Sequence, residues 1–129
     1  MADKLTRILY VEDDPDIQTV ARIALETLGG FTVKICSSGN EALGQAPGFQ
    51  PQLILLDVMM PAMDGPSTLK MLRELPQFAT TPAIFMTAKV QPSEIARYLE
   101  LGAVDVVPKP FDPMTLSNQV LTIWERCHV

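Results

Sequence analysis

Short apolar blocks and longer amphipathic stretches alternate from one end of the chain to the other. The block LTRILYV (5–11) is rich in β-formers and stops at the acidic EDD. In the PDIQTVARIALETLGG that follows, Ile17, Val20, Ala21, Ala24, Leu25 and Leu28 recur at helical spacing. Asp14 is placed to cap that helix, Pro15 to occupy its first turn and Gly29-Gly30 to close it. The same alternation continues. FTVKIC (31–36) predicts a strand and GNEALGQA (39–46) a short helix; PQLILLD (51–57) predicts a strand, followed by a helix near 66–74. PAIFMT (82–87) predicts the fourth strand, with a helix near 92–101, and AVDVV (103–107) the fifth. The last helix runs from Pro113 to about Arg126, with Asp112 as cap and Leu116, Val120, Ile123 and Trp124 on one side.

Five strands alternating with five helices predict an α/β fold, an open, doubly wound parallel sheet covered on both faces. The continuous run Leu53-Ile54-Leu55-Leu56 suits a strand with helices on either side. No repeat, low-complexity tract or linker interrupts the pattern, so residues 1–129 read as a single domain. Composition narrows the class further. Hydrophobic residues make up 47% and charged residues 19%, a globular balance. A formal net charge of −5 argues against direct nucleic-acid binding. The apolar runs are too short to span a bilayer, and MADKLTRILYV lacks the long apolar core of a signal peptide, so a cytoplasmic location is expected. Cys36 and Cys127 have no metal-like spacing and are expected to be free thiols. His128 is the only histidine, which leaves little room for a histidine metal site or a Ser-His-Asp triad.

In such a sheet, ligands bind outside the carboxyl ends of the strands, where the strand order reverses. Those ends carry Glu12, Asp13 and Asp14 after the first strand, Asp57 on the third, Thr87 on the fourth and Lys109 after the fifth. Three carboxylates converging on one pocket cannot all stay ionised without compensation. A hard divalent cation supplies it: Mg²⁺, or another such as Mn²⁺, takes oxygen ligands and commonly uses one or two carboxylates. Glu12, Asp13 and Asp57 are the candidate ligands, with the backbone carbonyl of Met59 as a further one, and Lys109 adds positive charge from the other side. This set suits phosphoryl transfer. Asp57 is a candidate nucleophile that needs no general base, and Thr87 and Lys109 would meet the phosphoryl oxygens.

Each piece also has a simpler reading. EDDP before a helix can be capping and favourable dipole charge. Asp57 can begin a turn, Thr87 can be an ordinary β-former, and a lone lysine is usually a solvated charge. The cluster Met59, Met60 and Met63 reads as packing, as do Phe85, Phe111 and Trp124. The simple readings do not account for four strand ends carrying complementary groups together.

The motifs ILYVEDDP, LILLDVMMPAMDG, IFMTA and VVPKPFDP, in this order, resemble the receiver domain of two-component response regulators, including its chemotaxis members. The resemblance covers the chain from about Lys4 to Trp124. It implies a flavodoxin-like sheet of strand order 2-1-3-4-5, an order that the spacing alone does not yield. It implies that Asp57 accepts a phosphoryl group from a histidine kinase, a phosphotransfer protein or a small acyl phosphate in a Mg²⁺-dependent reaction. Asp13 would be the direct metal ligand, Glu12 would act through water, and Met59 would contribute its carbonyl. Thr87 matches the switch hydroxyl and Lys109 the lysine of the family, with Lys109–Pro110 as a cis bond. The phosphorylated domain would promote its own dephosphorylation and alter a protein-binding surface made by helix four, strand five and helix five. One position departs from the pattern: Val106 stands where the family often has Tyr or Phe. The alternative is a receiver-like interaction module that works without phosphorylation, which the full acidic, threonine and lysine set disfavours. A flavin carrier would need a hydroxyl- and glycine-rich phosphate loop where this chain has Glu12-Asp13-Asp14-Pro15. An aspartate-nucleophile phosphatase would need a second aspartate at Met59.

Overall fold

The computed structural model describes residues 4–128. Strands β1 (Arg7–Val11), β2 (Thr32–Cys36), β3 (Leu53–Asp57), β4 (Ala83–Thr87) and β5 (Asp105–Pro108) form one parallel sheet in the order β2-β1-β3-β4-β5. The helices are α1 (Pro15–Arg22), α2 (Gly39–Phe49), α3 (Gly65–Arg73), α4 (Pro92–Glu100) and α5 (Leu116–Cys127). Side chains alternate across the strands and build two cores. Ile8, Tyr10, Leu53, Leu55, Ile84 and Met86 pack against Ala21 of α1, Leu25 just beyond it, and Val120 and Trp124 of α5. Leu9, Val11, Ile54, Leu56 and Phe85 face Ala42, Leu69, Leu72 and Tyr98 of α2, α3 and α4. Every residue of β3 is buried, as its unbroken apolar run requires.

The helix starts follow from local chemistry. The Asp14 carboxylate accepts from the backbone N–H groups of Asp16 and Ile17, with Pro15 in the first turn. Ser38 caps α2 through Glu41 N, and Asp64 caps α3 through Ser67 N at 2.8 Å. Beyond shifts of one or two residues at element ends, three boundaries differ from the sequence pattern. The helix after Arg22 widens into a π-helical segment, Ile23–Leu28, so helical spacing no longer tracks the core there. Ala24 and Leu25 stay buried, while Ile23 and Leu28 are exposed, as is Val20 just upstream. Gly30, at φ 77°, ends the segment with its N–H on Glu26 O. Helix α2 runs past Ala46 through Pro47 to Phe49, because one missing donor near a helix end leaves the preceding hydrogen bonds intact. The last helix begins at Leu116 instead of Pro113. There the Asp112 carboxylate takes the Met114 N–H (2.9 Å), and its carbonyl takes those of Thr115 and Leu116, holding a turn ahead of the helix.

Cys36 is buried, Cys127 is exposed, and both are free thiols. Among the described residues, no helix is long and apolar enough to cross a membrane.

Candidate functional site

Strand β1 has β2 on one side and β3 on the other, so the chain leaves it in opposite directions and a crevice opens at the carboxyl ends of β1 and β3. Glu12 and Asp13 follow β1 directly, and Asp57 is the last residue of β3. Thr87 ends β4, and Lys109 follows β5. Parallel register therefore brings residues from four separate chain segments to one edge.

At that edge the Lys109 ammonium bridges two buried carboxylates, 2.9 Å from Glu12 Oε1 and 3.2 Å from Asp57 Oδ1. Glu12, Asp13 and Asp57 each bring a carboxylate oxygen to a common spot, all within 4.8 Å of one another. Asp13 is the partly exposed member and opens the cluster to solvent. The Glu12 carboxylate also accepts from the Tyr10 hydroxyl (3.2 Å) and the Asp14 N–H (3.2 Å). The Gln18 amide reaches over to the Glu12 carbonyl and to Ser37 Oγ, tying the loop after β1 to the loop after β2. Thr87 is buried; its hydroxyl accepts from Lys89 N (3.1 Å), and its carbonyl accepts from Lys109 N (2.9 Å). Lys109–Pro110 is a cis bond. The three methionines separate: Met60 packs in the core, Met63 is half-buried, and Met59 is 64% exposed. Met59 lies two residues past Asp57 and lines an open depression with Val58, Met60 and Asp64.

Burial, followed by the Glu12 charge, pushes the Asp57 carboxyl up to about 6, and Lys109 offsets only part of this. For Lys109, burial disfavours the charge, but the hydrogen bonds and charges of Glu12 and Asp57 outweigh it and raise its pKa. Burial, reinforced by the Glu12 charge, raises the Tyr10 phenol far above its ordinary value, so it remains a hydrogen-bond donor. Because the folded Asp57 holds its proton more tightly than the unfolded one, its contribution to stability is full below about pH 4 and lost as pH rises through 6. In the absence of divalent cations, Asp57→Asn should therefore stabilise the protein at pH 7.5 by about 1–2 kcal/mol, after allowance for solvent screening. The gain should vanish at pH 4. Urea denaturation at the two pH values checks this, and an equal gain at both would refute the assignment.

The excess of negative charge, the hard-oxygen donor set and the opening at Asp13 fit a divalent cation, and the cluster could hold one. Two features of the crevice escape a reading of motifs alone. Tyr10 is one; strand alternation places positions 10 and 12 on one face, which is the signal that could have found it. Gly65 is the other: a Cβ there would lie 2.5 Å from the Asp57 carbonyl oxygen and 3.0 Å from Val58 Cα. In the same loop Ala62 has φ 67°, and Met63 N–H bonds Pro61 O (2.7 Å), a tight γ-turn of the strained kind beside the site.

Known proteins agree with this architecture. The family model of the response regulator receiver domain matches residues 8–121. The chain is 40% identical over 110 residues to a probable C4-dicarboxylate response regulator, DctR, of Halalkalibacterium halodurans, covering 84% of this chain and 47% of that protein. It is 38% identical over 123 residues to the alkaline phosphatase synthesis transcriptional regulatory protein PhoP of Bacillus subtilis, covering 95% of this chain and 50% of that one. The chain thus spans about half the length of these relatives. Among solved structures, the chemotaxis protein CheY4 of Vibrio cholerae superposes with a TM-score of 0.86 at 28% identity, over 93% of this chain and 99% of that one. A response regulator of Chloroflexus aurantiacus gives 0.84 at 32% identity, over 95% and 100%. With its five-stranded sheet in the order 2-1-3-4-5 and its acidic crevice beside a bridging lysine, the chain belongs to the receiver domains of two-component response regulators.

Proposed function

We propose that this domain accepts a phosphoryl group on Asp57 in a Mg²⁺-dependent reaction and signals through a change in its protein-binding surface. The observation that carries the reading is the Lys109 bridge between Asp57 and Glu12, with the Asp13 carboxylate within 4.8 Å of both acids, at the switch point of the sheet. Asp57 Oδ attacks phosphorus in line. The bond from phosphorus to the donor, a phosphohistidine nitrogen or an acyl-phosphate oxygen, breaks, and its electron pair leaves with the donor. Glu12, Asp13, Asp57 and the Met59 carbonyl would hold the Mg²⁺, which when bound neutralises charge on the phosphoryl oxygens. Lys109 leaves its bridge to meet one of these oxygens, and the Thr87 hydroxyl bonds another. Dephosphorylation uses the same groups with water as nucleophile.

The phosphodonor is a histidine kinase or phosphotransfer protein, in the cytoplasm. The output surface is α4, β5 and α5, where Val106, Asn118, Gln119 and Thr122 line an open groove. Val106 packs partly into the core on the α4 side of the sheet. Without an aromatic ring at this position, movement of Thr87 must reach that surface through the backbone between β4 and α4. Residues 1–129 then act as one receiver domain, a phosphoacceptor module and not a metabolic enzyme.

The test is intact mass after incubation with acetyl phosphate, with and without Mg²⁺, followed by peptide mapping. A single Mg²⁺-dependent phosphoryl adduct on the peptide carrying Asp57, absent from Asp57→Asn, is expected. An adduct elsewhere, or one indifferent to Mg²⁺, would refute the proposal.

A further inference from the structure

Glu12 carries three donors on two oxygens. The Tyr10 hydroxyl (3.2 Å) and the Lys109 ammonium (2.9 Å) both reach Oε1, and the Asp14 N–H (3.2 Å) reaches Oε2. A carboxylate oxygen has two in-plane acceptor sites. Oε1 is therefore fully occupied, and Oε2 keeps a lone pair for a cation or a bridging water.

The two donors on Oε1 differ in freedom. Lys109 is shared with Asp57 at 3.2 Å, and its side chain is 17% exposed. Tyr10 is fully buried in β1, with β2 and β3 on either side and the α1 and α5 layer over its ring. It cannot follow Lys109 when the ammonium turns toward a phosphoryl oxygen. We infer that Tyr10 is a positioning residue that keeps the Glu12 carboxylate turned, Oε2 outward, while Lys109 serves the phosphoryl group. The inference rests on the proposed metal site and adds a residue that touches neither metal nor phosphoryl group. The competing account is packing alone, since the ring also fills the core.

Tyr10→Phe keeps the ring and removes the hydroxyl, so it separates the two. Mg²⁺ dissociation constants would be measured by calorimetry for the wild type, Tyr10→Phe, Glu12→Gln and the double variant, with melting curves for each without metal. Loss of a hydrogen-bond partner that orients a metal ligand is expected to weaken Mg²⁺ binding about tenfold in Tyr10→Phe. The double variant should bind no more weakly than Glu12→Gln, because the hydroxyl acts through that carboxylate. Phosphorylation by acetyl phosphate should be slowed in Tyr10→Phe at low Mg²⁺ and recover at saturating Mg²⁺. Wild-type Mg²⁺ affinity in Tyr10→Phe, an equal loss in both backgrounds, or a rate deficit that saturating Mg²⁺ does not close would each overturn the inference. A wild type that binds no Mg²⁺ would instead overturn the reading of the site, and this inference with it.

Discussion

Gly65→Ala should destabilise the protein by about 3 kcal/mol and weaken Mg²⁺ binding as well. The atoms a Cβ would meet are backbone, the Asp57 carbonyl oxygen at 2.5 Å and Val58 Cα at 3.0 Å, so no side chain can turn aside. The Gly65 N–H is also bonded to Val58 O at 2.9 Å, which pins α3 against the end of β3. Relief requires either that α3 lift away, opening the core at Leu69 and Leu72, or that the Asp57-Val58 peptide shift, taking the Asp57 carboxylate with it. Gly48→Ala is the internal comparison, because nothing lies within 4 Å of a Cβ there and the position is helical. It should be neutral or stabilising by up to about 1 kcal/mol. Urea denaturation of both variants, with a Mg²⁺ titration of Gly65→Ala, decides the matter. Equal stability of the two variants would show that the close approach at Gly65 does not matter.

Lys109→Ala should cost about 2–3 kcal/mol at pH 7.5 without metal. Breaking a buried ion pair typically costs 3–5 kcal/mol because a charge is left uncompensated. Here the loss is smaller, since the lysine is partly exposed and Asp57, already pushed up to about 6, can take a proton instead. The sign with pH follows from that. Removing the ammonium raises the Asp57 carboxyl further, so the deficit should grow from pH 5 to pH 8 and shrink again on acidification. Adding Asp57→Asn should recover much of the lost stability by removing one of the two facing acids. On the proposed roles, phosphoryl transfer should fall by about 10²-fold, as when a charge-stabilising donor is removed. Denaturation across pH, together with the rate of adduct formation, checks both parts. A deficit independent of pH would mean that the lysine stabilises the fold by packing its aliphatic stem and not by compensating charge.

How much of this was legible in the sequence depends on the range of the interaction concerned. Asp14-Pro15 announced its helix start because a cap is satisfied within three residues of itself. The buried face of α5 was legible because Leu116, Val120, Ile123 and Trp124 keep one helical period throughout. Val20 and Leu28 misled, for their spacing put them on the buried face and both are exposed; Leu28 lies where the helix widens, which rotates later residues off the face that spacing predicts. Met59 misled as well. Of the two adjacent methionines past the strand end, only Met60 is buried in a core.

The site divides in the same way. Residue type and place at a strand end singled out Glu12, Asp13, Asp57, Thr87 and Lys109, because a parallel sheet must deliver its strand ends to one edge. What the chain alone determined is therefore the alternating fold, the polar strand ends and the chemistry they suit. Only the tertiary structure decided that Lys109 bridges Glu12 and Asp57, that Tyr10 holds the same oxygen from within the core, and that Gly65 backs onto the Asp57 peptide. The physical reason is packing. Lys109 meets acids 97 and 52 positions away. Although alternation puts Tyr10 and Glu12 on one face, the contacts of Tyr10 and Gly65 also depend on how helices and strands close around them.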